Sequence, residues 1–118
     1  MNTALLPTRV ALRPRNDIAQ VRALTMKLVR RLSHAFKGWQ SRILPGDRVH
    51  LGSHPANVFY NLLCTRTGAS ISAMSTDTAE LLEEAYSSVK TEEQKRAMAA
   101  QLNDILDSIR SQRPRRRA

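Results

Sequence analysis

Apolar residues recur at steps of three and four along the first third of the chain: Ile18, Val21, Leu24, Leu28, Leu32, Ala35, Phe36, Trp39 and Ile43. At about 100° per residue these positions cover one arc of a helix, so the spacing predicts an amphipathic helix from Asn16 toward Leu44. Asn16 is a candidate N-cap, and Asp17 suits the positive end of the helix. Gly38 costs roughly 1 kcal/mol against Ala in a helix interior, so the helix should bend or stop there. Residues 39–44 would then form a separate turn.

The segment LPGDRVHLGSHP that follows is read as a loop, with Pro45-Gly46 as its turn signal. Val49 and Leu51 alternate with His50, which is too short a pattern for a strand. A second helix is predicted to start near Pro55, with Ser53 or His54 at its cap and Val58, Phe59, Leu62 and Leu63 on its buried face. It should run to about Arg66 and break at Thr67-Gly68-Ala69-Ser70. A third helix begins between Ser70 and Thr78 and is strongest from Ala79 to Val89. Thr91 and Gln94 have the spacing of a capping box. They open a fourth helix in which Met98, Leu102, Ile105, Leu106 and Ile109 are spaced for burial, and Pro114 prevents its continuation. The predicted fold is all-α, about four helices in a compact orthogonal or bundle packing. Residues 1–15 are read as a flexible basic arm, 16–111 as the single domain, and 112–118 as an Arg-rich tail.

Charge sharpens this picture. The 118 residues carry 19 Lys and Arg against 10 Asp and Glu, a formal net charge of +9. Residues 1–48 hold a net +8, 77–109 a net −5, and the last nine residues a net +5. On the first helix Arg22, Lys27, Arg30, Arg31, His34 and Lys37 spread over the side opposite the apolar arc. Such a balance favours a polyanionic partner: nucleic acid, an anionic membrane surface or an acidic protein. Of the 19 basic residues 15 are Arg, whose planar fork suits bidentate phosphate contact. A basic front and an acidic rear also invite pairing between the first helix and the later ones, within one chain or across a dimer.

Residues 63–75 resemble the centre of a helix-turn-helix motif. Cys64 is the small residue four before Gly68, Gly68 supplies the turn, and Ala69 and Met74 are the apolar pair that packs the second helix. The resemblance implies a groove-entering helix starting near Ser70, with Ser70, Ser72, Ala73 and Thr76 facing bases. An ordinary helix end at Gly68 followed by a Ser/Thr-rich loop is the alternative.

Other chemistry is thin. One cysteine, Cys64, excludes an internal disulfide and is compatible with a reducing cytoplasm. His50, His54, Asp47 and Cys64 match no zinc spacing, and no cofactor or metal is expected. No phosphate-binding Gly loop or nucleophile elbow occurs, so the chain is not read as an enzyme. No apolar run approaches the roughly 20 residues that span a bilayer. The start of the chain lacks the features of a secretory signal and is read as a flexible basic arm rather than as a transit peptide.

The functional expectation is therefore a small DNA-binding regulator or accessory factor, cytoplasmic and dimeric. Arg22, Lys27, Arg30, Arg31 and Lys37 would lie on phosphates, with Arg113, Arg115, Arg116 and Arg117 adding contacts from the tail. DNA is favoured over RNA. The alternative is a helical adaptor, inhibitor or chaperone that docks onto an acidic protein.

Overall fold

Burial of the apolar arc of the first helix organises the chain. The structure, a computed structural model, describes residues 14–69 and 74–112, with side chains from 18 onward. Four helices follow one another: α1 (Pro14–Ala35), α2 (Pro55–Thr67), α3 (Thr76–Ser88) and α4 (Glu92–Ser111), with a short 3-10 turn at Trp39–Ser41. No strand occurs among the described residues. The fold is all-α, as the periodicity predicts.

On α1 the residues Val21, Leu24, Leu28 and Leu32 are buried, Leu28 and Leu32 completely. Thr25 is buried among them because its hydroxyl donates to the Val21 carbonyl at 2.7 Å, which spares an unpaired polar group in the core. The helix starts at Pro14 rather than behind Asn16. Proline is at home in a first turn, where its missing N–H would have had no partner.

α1 stops at Ala35, and Gly38 adopts φ +80, the left-handed conformation that glycine accepts most readily. This turn swings Trp39 under α2. The Trp39 and Phe59 rings meet edge-on at 5.5 Å, as do Phe36 and Tyr60 at 5.6 Å. The buried indole N–H donates to Ser33 Oγ at 3.0 Å.

α4 packs along α1 and reaches α2, while α3 leans on α1 and α2. Met98, Leu102 and Leu106 of α4 are fully buried. Its capping box forms as expected: Thr91 Oγ1 accepts from Gln94 N at 3.0 Å, and Gln94 Oε1 accepts from Thr91 N at 3.1 Å.

Residues 44–54 cross from α1 to α2 without regular structure, and side chains supply the partners that the backbone lacks. Asp47, only 8% exposed, accepts from Arg66 Nε and Nη2, each at 2.7 Å, and from the Leu44 N–H at 2.7 Å. Arg110 Nη1 donates to the carbonyls of Leu44 and Asp47 at 3.2 and 3.1 Å. Asn103 takes the place of a neighbouring strand, accepting from Val49 N at 2.7 Å and donating to Val49 O at 3.0 Å. The loop is thereby tied to both α2 and α4.

His54 caps α2. Its Nδ1 accepts from the Ala56 N–H at 3.1 Å, so the ring proton sits on Nε2 and donates to the Val89 carbonyl at 2.8 Å. The ring edge also meets Tyr86 at 5.1 Å. Both nitrogens of this histidine are thus engaged by backbone.

Two acid-sensitive steps follow from these seats. Burial pushes the His54 pKa below its ordinary 6.5. The unfolded chain therefore takes up the proton first, and the stability supplied by the neutral cap is present above pH 6.5 and declines as pH falls below it. His54→Asn should lower the melting temperature at about pH 8 and flatten its dependence between about pH 7 and 5, as followed by circular dichroism. Hydrogen bonds from Arg66 hold the Asp47 carboxyl below its ordinary 3.8 despite burial, with the Leu44 N–H acting in the same direction. That contribution is complete above 3.8 and is lost as pH falls through the folded-state value. Asp47→Asn should lower the urea midpoint at neutral pH and weaken its decline below about pH 4.

Candidate nucleic-acid interface

The basic residues of α1 do not form one open face. Lys27 Nζ lies 3.5 Å from Glu84 Oε1, and Arg31 Nη1 lies 4.0 Å from Asp77 Oδ2. Both partners belong to α3. Arg22 is on the opposite flank, where it lines a shallow groove against α4 together with Asp104, and its carbonyl accepts from Gln101 Nε2 at 3.4 Å. Arg30 and Lys37 are exposed and make no ion pair among the described residues. Between these flanks the outermost line of α1 carries Ala19, Ala23, Met26 and Arg30, the methionine 42% exposed. The packing therefore pairs the edges of the charged arc and leaves Arg30 open at its middle.

The groove between α1 and α3 is about 520 Å³ and has walls of opposite sign. Lys27, Arg30, Arg31 and His34 form one wall; Asp77, Glu80 and Glu84 form the other, with Leu81 between. Carboxylates beside the candidate phosphate contacts lower the potential that an anion meets there. The signal for this wall was in the sequence, in the net −5 of residues 77–109, but periodicity does not say which helices touch.

The helix-turn-helix resemblance divides in the same way. Gly68 does turn with φ +77, and its N–H donates to the Cys64 carbonyl at 2.8 Å. Cys64 is buried, and Met74 packs against the core. The helix expected from Ser70 does not run unbroken into α3, however. Met74 and Ser75 are not helical, and α3 begins only at Thr76. The physical reason is the cap: Ser75, extended at φ −74 and ψ 160, accepts from the Thr78 N–H at 3.2 Å through its hydroxyl. Thr76 is exposed in the first turn of α3, beside Asp77. Ser70, Ser72 and Ala73 lie outside the described residues, as do Arg113, Arg115, Arg116 and Arg117; of the arm expected over residues 1–15, 1–13 lie outside them as well, and Pro14 and Arg15 belong to α1 instead.

Three other cations are tied into the fold. Arg66 is paired with Asp47, and Arg110, which the sequence groups with the tail, holds the 44–47 backbone and donates to Asp107 Oδ1 at 2.6 Å. Arg48 lies 3.6 Å from the same carboxylate. From residue 18 to 112 there are 12 basic and 9 acidic side chains, a net of +3. The remaining +6 belongs to residues 1–17 and 113–118.

Among the described residues no group of three or more His, Cys, Asp or Glu is arranged to hold a metal ion, and no helix is long and apolar enough to cross a membrane. Compared with models of protein families, with curated proteins and with solved structures, the chain matches none.

The cross-groove ion pairs are exposed on both sides, and such pairs contribute about 0–1 kcal/mol. Lys27→Ala and Arg31→Ala should each move the unfolding free energy by less than about 1 kcal/mol in urea titrations. A larger loss would mean that these pairs hold α3 in place.

Proposed function

We propose that this chain is a DNA-binding accessory or regulatory protein that grips the phosphate backbone without reading bases. The observation that carries this reading is the placement of charge: a helical body close to neutral, flanked by Arg-rich chain ends that hold two thirds of the excess. Arginine forks suit phosphate oxygens, and contacts from several segments at once are how small proteins gain affinity for a duplex. Arg30 and Lys37, exposed and free of carboxylate partners among the described residues, supply the contacts nearest the body. The acidic first turn of α3 argues against its entry into a groove, so binding is expected to be tolerant of sequence. Five aromatic residues, with Phe36, Trp39, Phe59 and Tyr60 in the core, leave little for stacking on single strands. A lone buried thiol and a DNA partner are consistent with action in the cytoplasm.

A second reading has its own observation. Lys27 and Arg31 already face protein carboxylates, so the same side chains suit an acidic protein. Pull-downs with and without nuclease separate the two. Capture of DNA that nuclease abolishes favours the first reading, and a protein partner that survives nuclease favours the second.

Duplex titration at two salt concentrations tests the main reading directly. Affinity should fall steeply with salt, with a log–log slope of about −0.9 per phosphate neutralised. Deleting residues 113–118 removes four arginines and should flatten that slope by about 2, since ordering the segment on DNA limits the realised contacts. Affinity should drop alike for all sequences. Absence of binding at low salt would sink the proposal, and an unchanged slope would remove the tail from the interface.

A further inference from the structure

The α1–α3 groove has a property that neither wall has alone. Lys27 meets Glu84 and Arg31 meets Asp77, so advancing along α1 means retreating along α3, and the two helices run antiparallel. The cationic edge is on α1 and the anionic edge on α3, separated by the floor at Leu81. Arg30 lies between Lys27 and Arg31 on its helix, and Glu80 lies between Asp77 and Glu84 on the other. Both are exposed, and neither makes an ion pair among the described residues. The two unmatched charges therefore sit on opposite rims of the middle of one groove.

A face that is positive along one edge and negative along the other is its own complement. Half a turn about an axis that runs along the groove, in the plane of contact, turns a second copy to face the first and lays each edge on its opposite, which is the geometry of an isologous contact. One axis through the middle of the groove brings both unmatched pairs together at once.

We propose that the α1–α3 face docks a second copy of this chain, with Arg30 of each copy against Glu80 of the other. The charges already matched within each copy, Lys27 with Glu84 and Arg31 with Asp77, flank these new pairs and keep like charges apart. Charge complementarity of this kind sets register and partner choice more than affinity, so the dimer should be sensitive to salt. In the dimer Arg30 is engaged by Glu80, so phosphate contact falls to Lys37 and to the Arg-rich ends, whose number on one particle the dimer doubles.

Sedimentation velocity on the full chain tests it, using protein freed of nucleic acid by nuclease and a high-salt wash so that bridging by DNA is excluded. A dimer is expected at about 0.1 M salt, where the Debye length is about 10 Å, with dissociation at about 1 M. Arg30→Glu and Glu80→Arg should each weaken the dimer at least about tenfold, because each sets like charges opposite one another. Combining them should restore it, since the exchanged pair is again matched across the axis. Arg30→Gln and Glu80→Gln should weaken it less, and because both positions are exposed, melting curves at about 1 M salt, where the dimer is dissociated, should not change. A parent that stays monomeric at about 0.1 M salt, single reversals that dimerise like the parent, or a double reversal as weak as the singles would each overturn the proposal. A parent that is monomeric at about 0.1 M salt yet binds duplex DNA would overturn this interface and leave the phosphate-binding reading standing.

Discussion

The Asp47 carboxylate is the constraint on which the placement of α2 depends. Residues 44–54 must cross from the end of the Trp39 turn to the start of α2 with no helix or sheet to satisfy their backbone. Asp47 closes the first turn of that crossing through the Leu44 N–H and fixes it to α2 through both oxygens and the Arg66 guanidinium. Arg110 then binds the outward carbonyls of the same turn from α4. A buried carboxylate is tolerated only with such a full set of donors, because an unpaired one would cost several kcal/mol. One acidic side chain thus converts an irregular crossing into a fixed joint between three elements.

What the sequence makes legible is what neighbours along the chain decide. The faces of α1 and α4, the stop at Gly38, the Thr91–Gln94 cap and the turn at Gly68 each rest on residues within a few positions of one another. The joints do not. Arg66 reaches back 19 residues to Asp47, His54 reaches forward 35 to Val89, and Asn103 reaches back 54 to Val49. Nothing in the spacing of these residues distinguishes them from surface polar groups. Arg110 is the clearest instance: it belongs by sequence to a run of arginines, yet it is committed to the backbone of a distant loop.

The candidate interface shows the same limit from another side. Periodicity gives the angle of each α1 cation around its helix, and those angles are correct, but the angle alone does not reveal that α3 and α4 occupy the flanks. The helix-turn-helix resemblance meets a single hydroxyl. Ser75 caps α3, so that helix begins at Thr76 and opens with an acidic turn. Local capping outweighs a motif that asks only for a small residue, a glycine and two apolar positions.

The seat of Trp39 gives the molecule a built-in optical probe. It is the single tryptophan of the chain, fully enclosed, edge-on to Phe59 and bonded through its indole to Ser33. Its emission therefore registers whether α1 and α2 remain seated on each other. It is remote in character from the exposed cations, with no charged side chain among these ring and hydrogen-bond partners. Fluorescence of this protein follows the integrity of its interior, whereas association at its surface calls for a label placed elsewhere.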